Sequence, residues 1–368
     1  GAYFSHGSSN PYAGAIYVYD KNADGSWSES AILRAAGADP SDLFGRYVAI
    51  SGDVIATGSY YEDGSSINLG AVYVYRWNGT TWSEIRIDNP DPAADDRFGA
   101  TVALDGDTLA IGVHLDDDGA TNSGSVYVYQ WDGSAWNQQA KLTASDAAAN
   151  DYFGTHLAID GNTIVVGAYA ADVGYTDSGA AYVFTFDGVN WIQQAKLTAL
   201  DVSAGDQFGY RVAIGNGRIA VSSRYADSAL GVDVGAVYVL KQHADHTWTQ
   251  TAKLSASDGV NHDRFGEELA FEGNTLAISV SYRDSSGISN AGAVYVYTWD
   301  ETQWNESLFL PFGSMDPEDR WGFSVALSDG VLFSGAYLDD TPWGVNQGSV
   351  TMYNLAVAAP VNSVPTTQ

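Results

Sequence analysis

The sequence predicts an all-β protein assembled from repeated four-stranded antiparallel sheets, and three observations carry that prediction. A Phe-Gly or Trp-Gly pair recurs at Phe44, Phe98, Phe153, Phe208, Phe265 and Trp321, at intervals of 54, 55, 55, 57 and 56 residues. Each interval holds four short apolar runs rich in Val, Ile, Tyr and Trp and bounded by Gly, Asp and Asn, with nowhere the spacing of an amphipathic helix. Runs such as Ala71 to Tyr75 are apolar at every position, so protein must cover both faces of the sheet. Four antiparallel strands buried on both faces and repeated at such intervals make the blades of a β-propeller, since a β-helix has a shorter repeat.

In the third repeat the four runs, A to D, are Gly154 to Ile159, Thr163 to Ala168, Ala180 to Phe184 and Trp191 to Leu197. Asp105-Gly106, Asp160-Gly161 and Glu272-Gly273 suit a tight A–B hairpin, because Gly tolerates positive φ. The chain starts inside a repeat: Gly1-Ala2-Tyr3 matches the end of a B strand, Ala15 to Tyr19 is a C strand and Trp27 to Leu33 a D strand. Complete sets follow from Phe44, Phe98, Phe153, Phe208 and Phe265, and the last supplies A (Gly322 to Leu327), B (Val331 to Ala336) and C (Ser349 to Tyr353). Counting C strands predicts seven blades, with six blades and a spare strand as the alternative. Residues 1–353 then form a single propeller domain, and residues 354–368, ending in a Pro/Ser/Thr-rich run, form a last strand, a tail or a linker. A tail held in place implies either its own last blade or a neighbouring copy, hence a homo-oligomer through the termini.

The succession Phe-Gly, Ala-Ile/Leu-Asp-Gly, Val-Gly-Ala-Tyr and Gly-Ala-Val-Tyr-Val-Tyr resembles the FG-GAP repeat of integrin-α-like and bacterial surface propellers, over nearly the whole chain. The third letter of the family's Gly-Ala-Pro is here Tyr, at Tyr60, Tyr169, Tyr225, Tyr282 and Tyr337. The A–B hairpins are too short for the acidic calcium loops that integrins carry there. The bacterial version of the repeat is therefore the closer match, and integrin calcium sites are not carried over.

Forty-five acids against sixteen bases give a formal net charge of −29. That field opposes nucleic acid and anionic membrane and favours cations, basic partners or a salty medium. No apolar run approaches a membrane span, and the absence of cysteine fits either a reducing compartment or a bacterial exterior. The expected location is extracellular or at the cell surface, in a bacterium.

In an up-and-down blade the D–A and B–C connections emerge on one face, and the acids concentrate there. An Asp stands two residues before every Phe-Gly or Trp-Gly, at Asp42, Asp96, Asp151, Asp206, Asp263 and Asp319, to cap the turn or to hold a metal in each blade. The B–C acids Asp116, Asp117, Asp118, Asp172, Asp227, Asp284, Asp339 and Asp340 vary more, and are candidates for Ca²⁺ as against solvated charge. Asp20, Asn22 and Asp24 have a calcium-loop spacing without the closing Glu at its usual offset, so a plain Asp-Gly turn is the other reading. The tyrosines at the ends of the B strands, Tyr60, Tyr169, Tyr225, Tyr282 and Tyr337, suit sugar stacking or cationic groups, or packing beneath the loops. Trp27, Trp82, Trp136, Trp191, Trp248 and Trp304 recur once per D strand, as packing between blades.

The residues just after each Phe-Gly change most from copy to copy, so the fold does not fix them. A ligand is expected to meet Arg46, Tyr47, His156, Tyr210, Arg211, Glu267 and Glu268, unless these pair among themselves, as Arg211 with Glu267 or Glu268 would. No Gly-x-Ser-x-Gly elbow, P-loop, Cys nucleophile or His-Glu-x-x-His site occurs, and His243-Ala244-Asp245-His246 is a weak metal signal. The leading expectation is a non-enzymatic extracellular interaction module, for adhesion or for binding a protein or glycan with the help of Ca²⁺. The alternatives are a subunit of an extracellular filament or surface layer, and a polysaccharide-active enzyme in which His156, Tyr210 and Arg211 support β-elimination.

Overall fold

Short apolar runs separated by Gly, Asp and Asn leave the chain no room for helices, and among the described residues there are twenty-six strands and none. The structure, a computed structural model, describes residues 1, 14–37, 39, 41–284, 287–311, 317–340, 348–356 and 359–365, the last segment by its backbone alone. The B-strand end read at Gly1-Ala2-Tyr3 lies, apart from Gly1, outside these residues.

The strands form a β-propeller of six four-stranded sheets, each in simple sequence order. The first blade is β3 (Val48–Ser51), β4 (Val54–Ser59), β5 (Ala71–Trp77) and β6 (Trp82–Asp88), and the second is β7 (Thr101–Asp105), β8 (Thr108–Val113), β9 (Ser125–Trp131) and β10 (Trp136–Leu142). The third is β11 (Leu157–Asp160), β12 (Thr163–Ala168), β13 (Ala180–Phe186) and β14 (Trp191–Leu197). The fourth is β15 (Phe208–Gly215) to β18 (Trp248–Leu254) and the fifth β19 (Leu269–Glu272) to β22 (Trp304–Pro311). The sixth is β23 (Ser324–Ser328), β24 (Val331–Ala336), β25 (Ser349–Asn354) and β26 (Ala359–Pro365).

The expected seventh blade is corrected to six. The pair β1 (Ile16–Lys21) and β2 (Trp27–Leu33), which supplied the extra C strand, is a two-stranded sheet. It packs Ile16 and Leu33 onto Phe44, Ile55 and Tyr73 of the first blade. Within the terminal stretch, β26 pairs with β25 of its own chain as the outer strand of the sixth blade.

The chain divides into two compact units, residues 1–171 with 182–194 and residues 172–181 with 195–368. In the first, β3 lies beside β7 and β7 beside β11; in the second, β15 lies beside β19 and β19 beside β23. The first core cluster joins Val72 and Val74 to Leu109, Ile111 and Tyr127, and the second joins Val237 and Val239 to Leu276, Ile278 and Tyr295. The C strands are apolar throughout because both faces are covered: Ala71 to Tyr75 are all buried.

The Phe of each Phe-Gly is a keystone of its own blade. Phe44, Phe98, Phe153, Phe208 and Phe265 are fully buried, and each meets a C-strand tyrosine edge to face, Phe98 with Tyr127 at 5.6 Å and Phe265 with Tyr295 at 5.5 Å. Its backbone is fixed by the preceding B–C loop, as where Phe153 N donates to Ser123 O at 3.0 Å and Phe265 N to Val234 O at 2.7 Å. The Asp two residues earlier caps the turn: Asp96, Asp151, Asp206 and Asp263 each accept the N–H three residues back, at 2.7–2.9 Å. These carboxylates are buried, and burial pushes Asp42 and Asp96 up to about 6.

Two expectations shift by a small register. Asp105 pairs with Thr108, so the hairpin loop is Gly106-Asp107, with Gly106 at φ 55°, one residue later than read. The D-strand tryptophans, expected between blades, also clasp their own C–D hairpins, Trp82 against Trp77 at 5.5 Å and Trp304 against Trp299 at 5.8 Å.

Candidate functional site: an arginine and tyrosine belt

Each D–A turn places the residue just before Phe in the left-handed region: Leu43, Arg97, Tyr152, Gln207, Arg264 and Arg320 have φ between 53° and 59°. A non-glycine residue pays for that conformation, and the turn enforces it with backbone bonds such as Arg264 N to Asp233 O at 3.2 Å. The side chain so aimed meets the aromatic residue closing a B strand. In the first unit Arg97 lies 4.8 Å over Tyr61, and Tyr152 sits between His114 and Tyr169, stacked on the latter at 5.6 Å. In the second, Arg264 lies over Tyr225 at 5.1 Å and Tyr282 at 4.2 Å, and Arg320 over Tyr282 at 4.7 Å.

The residues after Phe-Gly join this belt. Arg46 lies over Tyr47 and Tyr60 and donates to the Tyr60 hydroxyl. Burial raises the Tyr60 pKa, against the pull of Arg46. Tyr337 packs against Phe323 at 4.3 Å. His156 is half-buried and accepts the Gly167 N–H on its carbonyl. Burial, with Arg97 and Arg46 nearby, pushes His114 down to about 4, so that ring is neutral. His156 stands in the first unit and Tyr210 and Arg211 in the second.

The densest cluster belongs to the second unit. Tyr210 Oη donates to Glu267 Oε1 at 3.0 Å, and Arg224 lies 3.7 Å over the Tyr210 ring with Nη1 3.6 Å from the same oxygen. Arg211 Nε bonds Glu268 Oε2 at 3.0 Å, the mutual pairing weighed from the sequence. Burial raises the Glu268 pKa, and Arg211 opposes it. Glu267 is 6% exposed, and its buried Oε2 has no hydrogen-bond partner. A buried carboxylate oxygen left in that state costs kilocalories unless a guest donor completes it. One oxygen is held and oriented while the other, buried from solvent, lacks a donor, so a guest donor that reaches it meets a preset acceptor, as a general base requires.

Most of the acids named for calcium make bonds within their own loops. Asp117, Asp172, Asp227 and Asp284 each accept the N–H of a residue five or six positions on, at 2.6–3.0 Å. Asp116 holds Lys141 at 2.9 Å, and Asp118 holds it too. In the sixth B–C loop the Asp339 backbone carbonyl accepts Gly348 N–H at 3.0 Å, beside exposed Asp340. Asp24 accepts Ser26 N–H at 2.9 Å, Asn22 bonds Ser26 Oγ at 2.9 Å, and Asp20 lies in β1; the loop is an Asx turn like that at Asp132. Among the described residues no group of three or more His, Asp or Glu side chains is placed to hold a metal ion. A cavity of about 200 Å³ in the first unit is lined by Glu62, Leu69, Arg86, Asp88 and Asn89, and Arg86 already pairs there with Glu62.

Sequence reasoning missed Arg97, Arg224, Arg264, Arg320 and His114. The signal was present: three of the six residues before Phe-Gly or Trp-Gly are arginines, in a chain with sixteen bases.

The FG-GAP repeat model matches residues 27–75, 82–129, 136–184, 191–240 and 248–297, and the chain belongs to that family. No curated protein matches it in sequence. Among solved structures it is similar to a Lactobacillus plantarum protein, with 13% identity, TM-score 0.57, and coverage of 98% of this chain and 94% of that one. It is similar also to the periplasmic gluconolactonase PpgL of Pseudomonas aeruginosa, with 14% identity, TM-score 0.60, and coverage of 99% and 94%. A fold shared end to end with an enzyme corrects the leading expectation of a non-enzymatic adhesion or binding module, which rested on the surface-protein resemblance and the acid count. No helix of the described residues is long and apolar enough to cross a membrane.

Proposed function

We propose that the chain is a hydrolase acting on a carbohydrate ester, the cyclic ester of a sugar acid being the simplest case. The observation that carries this reading is Glu267: buried, fixed through Oε1 by Tyr210 and Arg224, and orphaned at Oε2. In the reaction Glu267 takes a proton from water, and the hydroxide adds to the ester carbonyl. The Arg224 guanidinium faces the oxyanion that develops. The carbon–oxygen bond then breaks, and the alkoxide leaves with the proton returned by Glu267. No oxidant or reductant enters. The gluconolactonase likeness supports the reaction class by analogy of fold alone.

The test is proton release at constant pH on glucono-δ-lactone and related aldonolactones. The expected result is an initial rate above the spontaneous one that Glu267→Gln abolishes. Equal rates for the two proteins on every lactone overturn the reading.

A further inference from the structure

We infer that the substrate of this site carries a carboxylate, and that Arg264, flanked by Arg320, is its clamp. The inference rests on the hydrolase reading for what happens next to the clamp, and stands on its own geometry for binding.

In a chain with 45 acids and 16 bases an arginine is expected to find a carboxylate. Several do: Arg76 pairs with Asp107 at 3.4 Å, Arg211 with Glu268 at 3.0 Å, Arg283 with Asp258 at 2.7 Å, and Arg320 with Glu318 at 3.4 Å. Arg264 makes no ion pair with any described residue. Its faces are taken by the rings of Tyr225 and Tyr282, and its Nε is buried without a partner. Two aromatic rings hold a guanidinium in place while leaving its Nη end to donate, and the two Nη groups match a carboxylate in bidentate fashion. The side chain cannot swing away to a surface acid without leaving both rings, and its backbone is pinned at φ 58°.

The clamp lies at a useful distance from the base. Arg224, which touches Glu267, and Arg264 both rest on Tyr225, at 4.6 Å and 5.1 Å from the ring centroid. A scissile carbonyl facing Arg224 and a carboxylate facing Arg264 are thus separated by about one ring, which a uronic or aldaric acid spans. The net charge of −29 does not oppose this. At physiological ionic strength fields are screened over about 8 Å, so the remote acids slow the approach of an anion while the local arginines decide its binding.

Calorimetric titration of the full chain with D-glucuronate and with D-glucose tests the clamp without reference to turnover, and thermal melts check folding. Glucuronate is expected to bind at least about tenfold more tightly than glucose, and Arg264→Gln to lose about 10- to 100-fold for glucuronate. Arg264→Lys keeps the charge but not the fork, and is expected to recover only part. Equal binding of the two sugars, or an unchanged Arg264→Gln, overturns the inference. In turnover, D-glucarolactone is expected to outrun D-gluconolactone, and Arg264→Gln to raise KM for the former. Glucuronate binding lost in Arg264→Gln with no lactone hydrolysed sinks the hydrolase reading and keeps the clamp. Lactones hydrolysed without preference, and no glucuronate binding, do the reverse.

Discussion

Tyr210 and Glu267 stand 57 residues apart in sequence and 3.0 Å apart in space, the phenol of one blade donating to the carboxylate of the next. Both occupy the variable positions following Phe-Gly, so the bond joins the start of β15 to the turn that leads into β19. Because Phe208 and Phe265 are immobilised by burial and by backbone bonds, the two side chains inherit their positions from the most rigid points of their blades. A site is most accurately held when it is built this way.

Glu267→Gln keeps the acceptor for Tyr210 and removes the base. The expected outcome is a fall in lactone turnover of about 10²- to 10⁴-fold with a cooperative thermal melt retained, since Gln still accepts from Tyr210. A variant that melts normally and turns over normally shows that Glu267 only ties two blades together.

The turn aspartates add stability as pH falls from 7 to 5, against His114, whose folded ring stays neutral where the unfolded one takes up a proton. The folded pKa of Asp42 and of Asp96 is raised to about 6, chiefly by burial, while the unfolded carboxyls titrate near 4. The native state therefore binds protons that the unfolded state does not, and the stabilisation is complete below the unfolded pKa and lost as pH rises through about 6. Asp206 and Asp263 are raised for the same reason and add to the effect. Asp96→Asn, neutral at both pH values, is expected to lower the thermal midpoint at pH 5.5 relative to that at pH 7.5, compared with the parent. An unchanged difference between the two midpoints contradicts the assignment of these turns.

The repeat and its four strands were legible because Phe-Gly, the turn Asp and the D-strand Trp recur at fixed places; the D strand read at Trp191 to Leu197 is β14 to the residue, whereas the A strand read from Gly154 begins only at Leu157, the Phe-Gly turn taking up the residues before it. The blade count was not, because β1 and β2 look like any C–D pair and only the sheet itself reveals that, among the described residues, they form a sheet of two. The belt was half legible. Tyr225 and Tyr282 were singled out, but Arg264 was passed over because it sits between two residues that recur in the repeats, Asp263 and Phe265. The acid count also pointed away from it: net charge sums over the surface and is silent about where the few bases gather.

Lys141 is predicted to be worth more to stability than surface lysines are. It sits 5.1 Å over Tyr127 and bonds Asp116, whose side chain is 7% exposed. The carboxylates beside it raise its pKa, against its own burial. Lys141→Met keeps the stem and strands the Asp116 charge, at an expected cost of about 2 kcal/mol, between the values for exposed and buried pairs. Asp91→Asn, which loses only a 3.5 Å contact of an exposed carboxylate, is expected to cost under about 0.5 kcal/mol in the same urea titrations. Equal costs show that the network is ordinary surface charge.

Gly124 and Gly133 separate two reasons for glycine. Both have positive φ, 83° and 96°, but a Cβ on Gly124 would stand 2.0 Å from the carbonyl oxygen of Phe153, whereas one on Gly133 would meet nothing within 4 Å. Gly133→Ala therefore carries only the left-handed conformation, about 1–2 kcal/mol. Gly124→Ala carries that and a backbone collision, which must push the Phe-Gly turn off the C strand and unseat Phe153 from Tyr182, 5.5 Å away. Losing such a buried ring costs about 3–5 kcal/mol. Gly124→Ala is thus expected to unfold at clearly lower urea than Gly133→Ala; equal midpoints mean the turn can back away freely, and the Phe-Gly pair is not the point from which the blade is hung.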